Sequence, residues 1–98
     1  MRRVHFQKWV CTIKKSHYGN GRVALTLFQK EEEIADATVN IPGVKLGQNE
    51  VCIREERGYE GMVQALVDAG AVISLGRTVK SGFVDYPVCE LQGSLRER

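Results

Sequence analysis

A chain of 98 residues, 43% hydrophobic and 27% charged, fits one domain with a modest core. No apolar stretch approaches the roughly 20 residues of a membrane span, and His5, Gln7 and Lys8 interrupt any secretory core behind Arg2 and Arg3, so no signal peptide and no membrane association are expected. The net charge of +2 names no partner, but its distribution is uneven: residues 1–30 carry +7 with no acidic group, residues 31–60 carry −5, and residues 61–98 balance.

Residues 4–14 are rich in β-branched and aromatic types. Val4 and Phe6 alternate with polar neighbours, then Trp9, Cys11 and Ile13 take the other parity, which predicts one strand with a bulge or bend. A second strand is expected over 22–28, a charged turn at Lys30, Glu31, Glu32 and Glu33, and a third strand over 34–41, stopped by Pro42-Gly43. Residues 51–53 read as a short fourth strand. The period then changes. Tyr59, Met62, Val63, Leu66 and Val67 form one apolar stripe at helical spacing, predicting a helix over about 59–69 that ends at Gly70. Two or three strands follow, punctuated by Gly76, Gly82 and Pro87, and residues 93–98 read as a mobile tail. The expected fold class is α+β: one antiparallel β-sheet of about six strands, with a single amphipathic helix packed on one face.

Residues 19–24, Gly-Asn-Gly-Arg-Val-Ala, match G-x-G-x-x-G/A. A dinucleotide site needs a helix after the glycines, to put its N-terminus at the pyrophosphate. Here a strand follows, so Asn20-Gly21 reads as a two-residue hairpin turn. The loop can still present His17, Tyr18 and Arg22 as a binding tip.

Chemistry is sparse. Cys11, Cys52 and Cys89 lie among strand-like apolar residues with no C-x-x-C spacing, so they read as reduced core thiols in a cytoplasmic protein. His5 and His17 have no partner set for nucleophilic catalysis. Glu31, Glu32 and Glu33 read as a solvated charge run, and Glu55-Glu56 as favourable charge ahead of the helix. No metal set, cofactor or acid–base pair is expected, and the reading is non-enzymatic. The first hairpin, basic throughout and interleaved with Phe6, Trp9, His17 and Tyr18, could instead hold a nucleic-acid strand.

Tyr18-Gly19-Asn20-Gly21-Arg22, residues 37–42, Glu60-Gly61-Met62 with Ala65-Leu66, Gly82-Phe83 and residues 87–91 together resemble a small domain-of-unknown-function family. Its members are carried on bacterial plasmids, phages and integrative elements. The resemblance spans residues 18–91 and transfers no catalytic residue. It implies a binding protein that blocks a host defence component of the CRISPR type by occupying its surface. Two charged ends are the candidate contacts: Arg2, Arg3, Lys14, Lys15 and Arg22, or Glu31, Glu32 and Glu33. The alternative is a nucleic-acid-binding accessory protein using the basic hairpin. A third class is a homodimer pairing through an edge strand at 51–53.

Overall fold

A computed structural model describes residues 3–98; Arg2, one of the expected basic contacts, lies outside the described residues. The fold is α+β and its sheets are antiparallel, but eight strands form two four-stranded sheets, where about six in one sheet are expected from the sequence. The first sheet is the meander β1 (Arg3–Phe6), β2 (Trp9–His17), β3 (Val23–Gln29) and β4 (Glu32–Asp36). The second has the order β5-β6-β8-β7, from β5 (Thr38–Val39), β6 (Glu50–Ile53), β7 (Val72–Ser81) and β8 (Val84–Leu91).

The parity switch near Trp9 is a hairpin turn and not a bulge. Phe6 pairs with Trp9 across the two-residue turn Gln7-Lys8, and Gln7 takes φ 53°. A left-handed non-glycine residue is costly. Gln7 offsets it by donating its side-chain amide to the carbonyls of Gly58 and Glu60, at 3.2 and 3.3 Å. The glycine loop is likewise one residue longer than expected. Gly21 N–H donates to the Tyr18 carbonyl at 2.9 Å, so Gly19 and Asn20 are central and Gly21, at φ 88°, is the left-handed residue that follows.

The run 34–41 is not one strand. β4 ends at Asp36 and the chain crosses to the second sheet at Ala37-Thr38. Ala37 still donates its N–H to the Leu25 carbonyl of the first sheet at 2.9 Å, and its own carbonyl accepts from Arg54 N–H. Thr38 pairs with Ile53 of the second sheet, yet its hydroxyl accepts the Leu25 N–H at 3.1 Å and meets the Tyr18 hydroxyl at 2.8 Å. One buried threonine therefore ties both sheets.

Alternation along the strands turns Val4, Phe6, Cys11, Leu25 and Leu27 of the first sheet toward Val51, Ile53, Val72, Cys89 and Leu91 of the second. The helix α1 (Met62–Asp68) closes this core with Met62, Ala65 and Leu66. It is shorter than 59–69 because Gly61, at φ 89°, cannot lie within a right-handed helix. The Glu55 carboxylate caps it, accepting from Gly61 and Val63 N–H at 2.9 and 2.8 Å. Gly70 at φ 73° ends it, with Ala71 N–H on the Leu66 carbonyl and Gly70 N–H on that of Val67, a Schellman closure. Ile41, Cys52 and Val88 form a second, smaller cluster on the opposite face of the second sheet.

β6 lies between β5 and β8, so 51–53 is not an edge available for dimer pairing. The edges of this sheet are β5 and β7. Gly76 and Pro87 do not end strands: they mark a bulge, where three residues after Ser74 intervene before pairing resumes at Thr78–Pro87. Residues 93–98, read as a mobile tail, hold the 3-10 turn Gly93–Leu95, and Leu95 packs on the core.

Thr38→Val keeps the shape and removes the acceptor, leaving the Leu25 N–H unpaired in a buried position. It should lower the unfolding free energy by about 1–3 kcal/mol. Urea denaturation monitored by Trp9 fluorescence would show a lower midpoint at unchanged m-value.

Candidate functional site

The residues expected to act together are divided by the two-residue period of β2. Lys14 points to the outer face of the first sheet with exposed Arg3 and His5 of β1, and its ammonium sits 5.7 Å from the centre of the Phe28 ring. Lys15 and His17 point to the other side. There they grip Glu97: Lys15 Nζ lies 2.7 Å from Oε2, and His17 Nε2 lies 2.6 Å from Oε1. The hydrogen bond from Lys15, then that from His17, hold the Glu97 carboxyl below the usual glutamate range.

Arg22 is structural. Its guanidinium donates to the Ile41 carbonyl at 2.8 Å and to the Val44 carbonyl, with Asn40 Oδ1 at 3.5 Å. It thereby holds the 40–44 loop over the smaller apolar cluster. Tyr18 is engaged by Thr38. Tyr18, Ser16, Thr26, Asp36, Asn40 and Arg54 line an open cleft of about 460 Å³. Its two charges have partners: Asp36 accepts from Thr26 at 3.2 Å, and Arg54 pairs with Glu56 at 3.2 Å. Of the acidic run, Glu31 is in the β3–β4 turn, while Glu32 and Glu33 belong to β4; all three are exposed. Of the first-hairpin aromatics, Phe6 is buried, and Trp9 stacks on it at 6.4 Å, packs on the core and is covered by Lys8.

Cys11, Cys52 and Cys89 are free and buried, and burial raises all three thiols, that of Cys89 to about 11. Arg54, stacked on Tyr59 at 5.1 Å, shares Glu56 with the Tyr86 hydroxyl, which donates at 3.1 Å. Burial, and then that bond, raise the Tyr86 phenol. This Arg54–Glu56–Tyr86 knot ties the loop after β6 to β8, and sequence spacing gave no signal of it. Among the described residues no group of three His, Cys, Asp or Glu side chains is placed to hold a metal ion, and no helix is long and apolar enough to cross a membrane.

The residue that sequence reading missed is Phe83. The outer half of the β7–β8 hairpin, residues 78–81 and 84–87, pairs with no other described strand. Its turn is Gly82-Phe83, with Gly82 at φ 63° as a type II′ turn requires. Phe83 there is 102% exposed, a full aromatic ring in water at the tip of a two-stranded arm. Lower on the same edge strand, Ile73 is 45% exposed and Arg77 pairs with Glu50 at 2.5 Å.

In comparisons with known proteins, no family model matches the chain, and neither a curated protein nor a solved structure is significantly similar to it.

Two outcomes follow from these environments. The three thiols should resist a disulfide reagent such as Ellman's in the folded protein and react together once denatured, because a buried, protonated thiol is not a nucleophile. For Glu97 the folded-state value lies below the ordinary 4.5, so its pairing stabilises the fold above that pH and is lost as pH falls through the lower folded value. An NMR titration should show the 93–98 amides moving in acid, and Glu97→Gln should abolish that step.

Proposed function

We propose that this protein is a non-enzymatic binding module whose working part is the β7–β8 arm, which seats Phe83 in an apolar pocket of a protein partner. Following the resemblance of residues 18–91, the partner is a component of a bacterial defence complex, and the protein inhibits it by occupying its surface. The observation that carries the reading is the fully exposed Phe83 ring on a pre-ordered turn. An aromatic that contributes nothing to its own core is the type of side chain that dominates interface energies, and a rigid hairpin loses little entropy on docking. The groups able to do chemistry support the same reading. The thiols are buried, and His17, Tyr18 and Arg22 are engaged within the fold.

Burying the ring is worth about 1.5–3 kcal/mol, so Phe83→Ala should weaken partner binding roughly 10- to 100-fold without lowering thermal stability. The measurement is capture from a bacterial host with tagged wild type and variant, each with and without nuclease. A stoichiometric protein retained by wild type after nuclease and lost by the variant supports the reading. Equal retention by both would sink it.

A second reading rests on the outer face of the first sheet, where Arg3 and His5 of β1 share a side with Lys14, 5.7 Å from the Phe28 ring, as a track for single-stranded nucleic acid, although Glu33 pairs with Phe28 from β4. Because Lys15 faces away, the discriminating pair is Arg3 and Lys14. Charge reversal of both should abolish oligonucleotide binding and its salt dependence, a slope near −0.7 per neutralised phosphate. Binding that survives the double change excludes this face.

A further inference from the structure

The segment 93–98 is held in the way that a peptide ligand is held. After the Gly93–Leu95 turn, the backbone at Arg96 is extended, at φ −65° and ψ 141°. Leu95 supplies an apolar anchor on the core. The Glu97 carboxylate is split between two donors, with one oxygen toward Lys15 and the other toward His17. The backbone is held as well: Glu97 N–H donates to Asn49 Oδ1 at 2.5 Å, and the Arg98 carbonyl accepts from the Gln48 amide at 2.8 Å. What is grasped lies within residues 95–98: one apolar side chain, one carboxylate two positions on, one N–H and one carbonyl, with the Arg96 guanidinium between them donating to the Leu91 carbonyl at 3.3 Å and lying 3.5 Å from Glu90 Oε1. None of these residues joins a sheet. The receiving groups, in contrast, belong to the fold: β2 supplies Lys15 and His17, and Asn49 is fixed by its own carbonyl, which accepts Leu91 N–H at 2.8 Å.

We propose that the surface between β2 and residues 48–49 is a docking site for an extended Leu-Arg-Glu segment of a protein partner, and that the chain's own 93–98 segment occupies it when that partner is absent. The charge is complementary: two basic side chains converge on one point, and the resident group is a carboxylate. A tethered resident competes at an effective concentration on the order of millimolar, so a partner must present the segment tightly or in a multivalent array to displace it. The site shares no residue with the Phe83 arm, and either proposal can fail without the other.

The test uses the full chain, isotopically labelled, as wild type and as Glu97→Gln, titrated with the capped hexapeptide Gly-Ser-Leu-Arg-Glu-Arg. Removing the resident's charge-assisted bonds should let the free peptide in, at a concentration about tenfold or more below that needed with wild type. The amides of Lys15, His17, Gln48 and Asn49 should shift together. A peptide with Gln in place of its Glu should not shift them, and neither should the intact peptide when Lys15→Glu is added to Glu97→Gln. Should Glu97→Gln fail to fold, Leu95→Ala loosens the resident by another route and gives the same comparison. Absence of shifts at those four amides at about 10 mM peptide, well above the tethered resident's effective concentration, overturns the proposal. So do identical titrations of wild type and variant.

Discussion

The hydroxyl of Thr38 is the interaction on which the two-sheet architecture depends. β4 stops pairing with β3 at Asp36, and the Leu25 N–H beyond that point would face a buried, acceptor-free gap. Thr38 supplies the missing acceptor from its side chain while its backbone has already joined β6. The chain can therefore leave one sheet for the other within two residues without abandoning a hydrogen bond. Tyr18 closes the same knot from the end of β2, which fixes the glycine turn relative to the crossover. Arg22 adds a second tie: rooted beside the first sheet, it holds the loop that covers the outer face of the second.

This economy bears on function. Polar residues that look available in a linear sequence are engaged by the turns and crossovers of a small fold. Arg22 satisfies two loop carbonyls, and Glu55 caps a short helix that has no side-chain cap at Gly61. Glu56 sits between Arg54 and Tyr86. What the fold does not consume is an apolar tip and an exposed outer face that carries Arg3, His5 and Lys14 with Glu33 beside them.

Legibility in the sequence followed physical lines. Alternation and the helical stripe located most elements, and Gly70 marked the helix end because a left-handed residue is needed there. The Gln7-Lys8 turn was hidden because it lacks the usual Gly or Asn, its backbone cost being offset by distant carbonyls. The sheet-to-sheet crossover was hidden because Ala37 and Thr38 lie inside a strand-like run, 34–41, that holds no Gly or Pro to mark a break and whose pairing partners are remote in sequence. Gly76 and Pro87 read as strand ends because a bulge and a terminus use the same residue types. The basic cluster dissolved once Lys14 and Lys15 were placed on opposite faces of β2. Phe83 gave no signal at all, since an aromatic beside valine in a strand-like run reads as core.

The bulge at Gly76 has a consequence for the chain's behaviour in a crowd. β7 is a ten-residue edge strand, and a long straight edge is a template on which another chain can add and begin a fibril. Interrupting the register between Ser74 and Thr78 breaks the strand into shorter straight runs, and the long charged side chains of Arg77 and Lys80 lie along it. The arm can thus carry an aromatic ring into water while its backbone is kept from polymerising.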